Sequence, residues 1–308
     1  MQVAGIGRVG GRVEVIEVGE LRPLAGDEVL VEVMAAGVGH WDEVVRTGGW
    51  DVGARPPMAL GVEAAGVVVA AGRAAGDWAP GDAVLTHPVP LRDQGTWAPR
   101  LIAPAGLLAR KPPGASWAAA AAFPVPALTA GQVVGGTLRV RAGEQVLVHG
   151  AGGVTGGLLV AVAARRGAQV IATAGPASRP RVTGLGARHV LDYHDHDWPA
   201  QVRAITADRG VDAAVNAVPG GAARAIEAVA GGGRLATLTS DPPGGQRGIT
   251  VSTSYVRPDG TLLRALATQL GNGQLQIPVA AAYRLADAAQ ALAQVTGGHA
   301  AAAIVLTP

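Results

Sequence analysis

The feature that most constrains this chain is a turn. Val146-Leu147-Val148-His149 is an apolar strand, Gly150-Ala151-Gly152-Gly153 follows, and a helical pattern starts at Val154. Glycines between a strand and a helix let the backbone approach a diphosphate closely. The helix start then offers free N–H groups and the positive end of its dipole. Gly150, Gly152, Gly153, Val154 and Thr155 are therefore candidate nucleotide contacts. The fingerprint is imperfect, since its third glycine position falls on Thr155, and Gly156 is positioned to take over the close helix–strand contact. With 46 glycines in 308 residues, such a match gains weight only from its surroundings.

Those surroundings repeat. Strand patterns at 170–173, 190–191, 211–215 and 234–238 alternate with helical ones at 178–185, 199–206 and 222–229. That rhythm predicts a parallel, doubly wound α/β sheet. Residues 1 to about 110 differ: strand patterns at 13–18, 28–34, 66–70 and 83–86 lie between glycines and prolines, with one short helix at 41–46. The tail predicts helices over 259–270 and 285–295 and a last strand at 302–306. The apolar stretch 115–134 is broken by Pro124 and Pro126 and reads as buried connecting structure, not a membrane span. No signal-peptide pattern opens the chain, so a cytoplasmic location is expected.

At the end of the second strand, 173–181, there is no acid to hold a ribose 2′-hydroxyl. Ser178, Arg179 and Arg181 suit a 2′-phosphate through charge-assisted hydrogen bonds, which favours NADPH. The alternative is that both arginines are solvated at a helix start.

Composition removes other chemistries. Cysteine is absent, which excludes disulfides, thiol nucleophiles and cysteine-bound zinc. Lysine occurs once, at Lys111, so there is no P-loop Gly-Lys pair and no Tyr-x-x-x-Lys dyad. A net charge of +2 with scattered arginines argues against a nucleic-acid partner. No Gly-x-Ser-x-Gly elbow offers a hydrolytic nucleophile. His194-Asp195-His196-Asp197 imitates a metal cluster but reads as a solvated loop, and no metal is expected.

Several landmarks in order carry a resemblance. They are Ala36-Gly37-Val38 with Asp42, Gly61-Val62-Glu63-Ala64-Ala65-Gly66, Pro80-Gly81-Asp82-Ala83-Val84, Ala127-Leu128-Thr129-Ala130, the glycine turn, Leu191-Asp192-Tyr193 and Val256-Arg257-Pro258-Asp259-Gly260. The chain resembles the zinc-independent quinone oxidoreductase branch of the medium-chain dehydrogenase/reductase superfamily. The resemblance implies a GroES-like β-barrel catalytic domain (1–122 and 269–308) and a Rossmann NADPH-binding domain (123–268). It implies cofactor contacts from Thr129, Arg179, Tyr193, Asn216, Val218, Leu238, Thr239 and Ser240. It also implies a homodimer joined along a sheet edge near 248–253. In zinc-dependent relatives a cysteine stands at Gly39 and a histidine at Val62, so the zinc site is expected to be lost. The branch's asparagine at Gly39 and tyrosine at Trp50 are also missing, which weakens quinone specificity.

The implied function is NADPH-dependent hydride transfer to a quinone or similar conjugated carbonyl, a small electrophile. The alternatives are an enoyl or 2-alkenal reductase, or an NADPH-binding protein without turnover. His40 lies where zinc-dependent relatives keep a proton-relay hydroxyl and is the candidate acid, or else a packed or capping histidine. Trp41, Trp50 and Phe123 are candidate pocket walls, or else core.

Overall fold

A computed structural model describes residues 1–298 and 301–308. Along the chain the first strands are β1 (Gln2–Ile6), β2 (Glu14–Glu17) and β3 (Glu28–Val38), followed by helix α1 (His40–Arg46). Then come β4 (Met58–Ala59), β5 (Ala64–Ala71), β6 (Ala83–Thr86), β7 (Arg100–Pro104) and β8 (Leu108–Arg110). Helices α2 (Trp117–Ala121) and α3 (Pro124–Gln132) occupy the stretch expected to be mere connection. Helix survives there because Pro124 and Pro126 fall in the first turn of α3, where a missing N–H breaks no bond.

Next come β9 (Gln145–His149), α4 (Val154–Arg165), β10 (Gln169–Thr173), α5 (Arg179–Gly184) and β11 (Ala187–Leu191). They are followed by α6 (Trp198–Ile205), β12 (Val211–Asn216), α7 (Ala222–Ala225), β13 (Val229–Thr237) and β14 (Thr250–Thr253). The tail holds α8 (Gly260–Gly271), β15 (Val279–Arg284), α9 (Ala288–Thr296) and β16 (Ala303–Thr307).

The chain forms two compact units, Met1–Leu128 with Arg257–Pro308, and Thr129–Val256. In the first unit a sheet runs β15-β16-β3-β5-β6-β8, with β7 also paired to β3. Strand β16 lies antiparallel to β3, with Val305 opposite Gly37, so the tail rejoins the N-terminal strands. Helix α8 also belongs here, because Arg264 donates to the carbonyls of Gly106 and Leu108 at 3.2 and 3.1 Å.

The second unit is a parallel sheet in the order β11-β10-β9-β12-β13-β14. Its central strands are buried on both faces along their apolar centres, 146–148 and 213–215. Leu147, Ile171, Ala214 and Leu235 pack against Trp198, Val202 and Ile226 on one face. The helix expected over 222–229 is shorter, ending in a 3-10 turn at Ile226–Ala228 before β13 starts early at Val229.

Candidate active site

In the parallel sheet, strand alternation places His149 and Thr173 side by side at the C-terminal ends of β9 and β10. Thr173 Oγ1 accepts from the Gly150 N–H at 3.1 Å and lies 2.7 Å from His149 Nδ1. The His149 ring stacks on Trp198 with centroids 4.6 Å apart. Burial pushes its pKa down to about 4, so the ring is neutral and can accept the threonine proton.

Gly150 turns the chain at φ +90°, in the region that favours glycine. A Cβ on Gly156 would stand 2.0 Å from the Gly150 carbonyl oxygen, so Gly156 does supply the close contact that Thr155 cannot. The Gly153 cap has no side chain to offer the first N–H groups of α4, which leaves them for a ligand. Val218 reaches to 2.6 Å from the Cβ position of Gly150, bringing the loop after β12 onto the turn.

Beside the turn, the Ser178 hydroxyl lies 3.3 Å from the Cβ position of Gly152. The Arg181 guanidinium donates to the Gly152 carbonyl and lies against Gly157, so it braces the turn itself. Arg179 is exposed. Its charge helps hold Asp192 below the usual carboxylate range, after the larger effects of the His194 backbone N–H and ring. Tyr193 is half exposed beside Gly175, with its ring 4.0 Å from that of His194. Asp192 was not singled out as a site residue from sequence, although it stands next to Tyr193.

At the ends of β12 and β13, Asn216 is fully buried and donates to the Val218 carbonyl at 2.9 Å and to Thr239 Oγ1 at 3.0 Å. Leu238 N–H donates to the Asn216 carbonyl at 2.9 Å, and Ser240 sits at φ +57° with its hydroxyl 3.0 Å from that of Tyr255. Asp241 joins this network and sequence reasoning missed it. Burial opposes its ionisation, but hydrogen bonds from Thr237, Thr239 and the Ala222 N–H outweigh that and keep it below the usual range. Thr129 is half-buried in α3.

In the first unit, His40 is exposed at the start of α1, and partial burial lowers its pKa. Asp42 is wholly buried and accepts from the Gly39 N–H at 2.8 Å. Burial raises its pKa to about 8 and that of Glu63 well above the usual range. Trp41 folds over Gly39, so that a Cβ there would lie 2.2 Å from the indole. The expected pocket walls do not converge. Trp50 lines a cavity of about 250 Å³ with Ile6, Val45 and Met58. Neither Trp41 nor Phe123 reaches that cavity, and Phe123 is fully buried core.

Zinc ligands fit poorly. The indole fills the space a side chain at position 39 would need, and position 62 is a buried valine. Among the described residues no three His, Cys, Asp or Glu side chains gather as a metal site. Likewise no described helix is long and apolar enough to cross a membrane.

Residues 25–113 match the alcohol dehydrogenase GroES-like domain, and residues 185–306 match the family described as zinc-binding dehydrogenase. The chain belongs to the medium-chain dehydrogenase/reductase superfamily. Erythronolide synthase EryA2 of Saccharopolyspora erythraea is 34% identical over 93% of this chain, which spans only 8% of that protein. The CurK enoyl reductase shares the fold at a TM-score of 0.87 and 21% identity, covering 99% of this chain and 98% of the other. A quinone oxidoreductase of Pseudomonas syringae shares it at 0.85 and 24%, covering 100% and 98%. The superfamily is one of oxidoreductases that use a nicotinamide cofactor.

Proposed function

We propose that this superfamily member is an NADPH-dependent, zinc-independent reductase that passes hydride to a conjugated carbonyl acceptor, a quinone being the plainest case. The observation that carries this is the end of the parallel sheet. There a glycine turn closed by Gly156 stands beside Ser178, Arg179 follows Ser178 in the chain within electrostatic reach of Asp192, and Tyr193 lies against Gly175, with no carboxylate at the end of β10 itself. A 2′-phosphate meets an arginine and hydroxyls there, which is the chemistry NADPH needs and NADH does not.

When bound, the nicotinamide supplies the hydride, and the chain's residues supply position and charge. The turn and the start of α4 hold the diphosphate. Asn216, Thr239 and Asp241 present fixed dipoles and one negative charge at the ends of β12 and β13. His40, kept mostly neutral by its lowered pKa, offers an N–H to the acceptor oxygen and is a poor proton source. A quinone tolerates this, because hydride and a proton from water complete its reduction. The filled space above Gly39 supports chemistry without zinc.

A second reading, reduction of an enoyl carbon–carbon double bond, is favoured by the likeness to a polyketide-forming synthase and to an enoyl reductase fold. There hydride goes to the β-carbon and a proton to the α-carbon, so a placed donor matters more. NADPH oxidation with a quinone and with an α,β-unsaturated thioester, in the parent and in His40→Ala, separates the two. The quinone reading expects quinone turnover to change by less than about threefold in the variant. Thioester turnover that exceeds quinone turnover and falls by more than about tenfold supports the second reading. NADPH binding with no turnover on any acceptor marks a binding protein.

Strand β14 lies at the edge of its sheet, and this supports a homodimer joined through Thr250–Thr253.

A further inference from the structure

The alternation that puts His149 and Thr173 under the glycine turn also puts Gln145 and Gln169 together at the opposite end of β9 and β10. Here the apolar face gives way to polar side chains. A cavity of about 120 Å³ opens between Gln145, Gln169, Ile171, Arg188, His189 and Ile205. This is well above the ~10–15 Å³ that holds one water. It lies about 13 Å from the turn along the strand, at ~3.3 Å per residue.

No carboxylate lines this cavity. Arg188 donates to Gln169 Oε1 at 3.0 Å, and Arg209 donates to Gln145 Oε1 at 3.2 Å. Both amide oxygens are thus occupied by guanidinium donors, and the amide NH2 groups remain as donors. Among the described residues neither Arg188 nor Arg209 makes an ion pair, so their charge is not neutralised. Asp212 accepts from the Gln145 N–H at 2.8 Å, and Glu144 pairs with Arg234 at 2.8 Å.

We propose that this N-terminal edge of the parallel sheet is an anion site. It takes a phosphate-type dianion, free or esterified, on the Gln145 and Gln169 amides, Arg188 and His189. It is separate from the nucleotide turn and does not depend on the function proposed above. Donors that converge on an apolar floor without a carboxylate suit a tetrahedral oxyanion and disfavour a cation.

The test is calorimetric titration of the whole chain with inorganic phosphate, and in parallel with phenyl phosphate, in chloride at constant ionic strength. Arg188→Gln and Gln169→Leu, both at exposed positions, are each expected to raise the Kd for phosphate roughly tenfold, one charge-assisted contact being worth about that. Arg73→Ala, at an exposed position in the first unit, is expected to leave it within about twofold. Tighter binding of phenyl phosphate identifies an esterified ligand, and tighter binding of the inorganic ion a free one. Either result supports the site. No heat with the parent, unchanged binding in both edge variants, or an equal loss of binding in Arg73→Ala overturns it. Unchanged melting temperatures show that the variants fold.

Discussion

Asp42 and Asp241 are both carboxyls in polar surroundings, and the two units push them in opposite directions. In the first unit Asp42 is sealed from water, receives one backbone N–H and keeps Oδ1 without a partner. Its pKa rises to about 8, and the proton stays on at neutral pH. In the second unit Asp241 is partly buried but receives hydroxyls from Thr237 and Thr239 and a backbone N–H, and it stays charged. The number of donors, more than burial alone, decides whether a carboxyl is ionised. The described buried side-chain atoms left without a hydrogen bond, Trp41 Nε1, Asp42 Oδ1 and His87 Nε2, all belong to the first unit. The second unit spends its polar groups on a paired crescent at the strand ends.

That contrast can be broken from either side. The largest effect is expected where the crescent rests on close backbone contact. Gly156→Val places a side chain against the Gly150 carbonyl. It should cost about 3 kcal/mol in chemical denaturation and abolish nucleotide binding. A variant of parental stability would show that the turn does not need that contact.

The next effect lies in the first unit. A raised acid pKa means that the folded chain keeps a proton the unfolded chain has released. Stability therefore falls as pH climbs from the unfolded value near 3.8 to the folded one near 8, and is flat above. Asp42→Asn should flatten that decline by about 1.4 kcal/mol per pH unit. Glu63, raised in the same direction, contributes its own slope in both proteins. An unchanged slope in the variant would mean that Asp42 is ionised in the fold.

The smallest effect concerns Trp41. Trp41→Phe removes a buried N–H that has no partner. Stability should shift by less than about 1 kcal/mol, because losing an unpaired donor offsets the smaller ring. A loss above about 2 kcal/mol would show that the N–H is satisfied in solution.

The two units were also unequally legible. The doubly wound sheet announces itself because β9, β10 and β12 have short apolar centres (146–148, 170–172 and 213–215) separated by helices. Strand β15 escaped notice, since Val279-Ala280-Ala281-Ala282-Tyr283-Arg284 carries little β-branched character and its pairing with β16 is tertiary. Helix α3 was hidden by two prolines that turn out to be harmless. The glycine turn could be read because its constraint is local. Asp241 could not, because its donors come from residues near 216, 222 and 237, which only folding assembles. Phe123 lies between α2 and α3 and is fully buried, and aromatic character alone does not separate a core ring from one that lines a pocket.

Calorimetric titration of the parent chain and of Arg179→Ala with NADPH and with NADH tests the central claim most directly. The account predicts that NADPH binds the parent more tightly. It also predicts that Arg179→Ala removes about 1.5–3 kcal/mol of that preference, the worth of one charge-assisted contact. No heat with either nucleotide, or a preference untouched by the substitution, would contradict it.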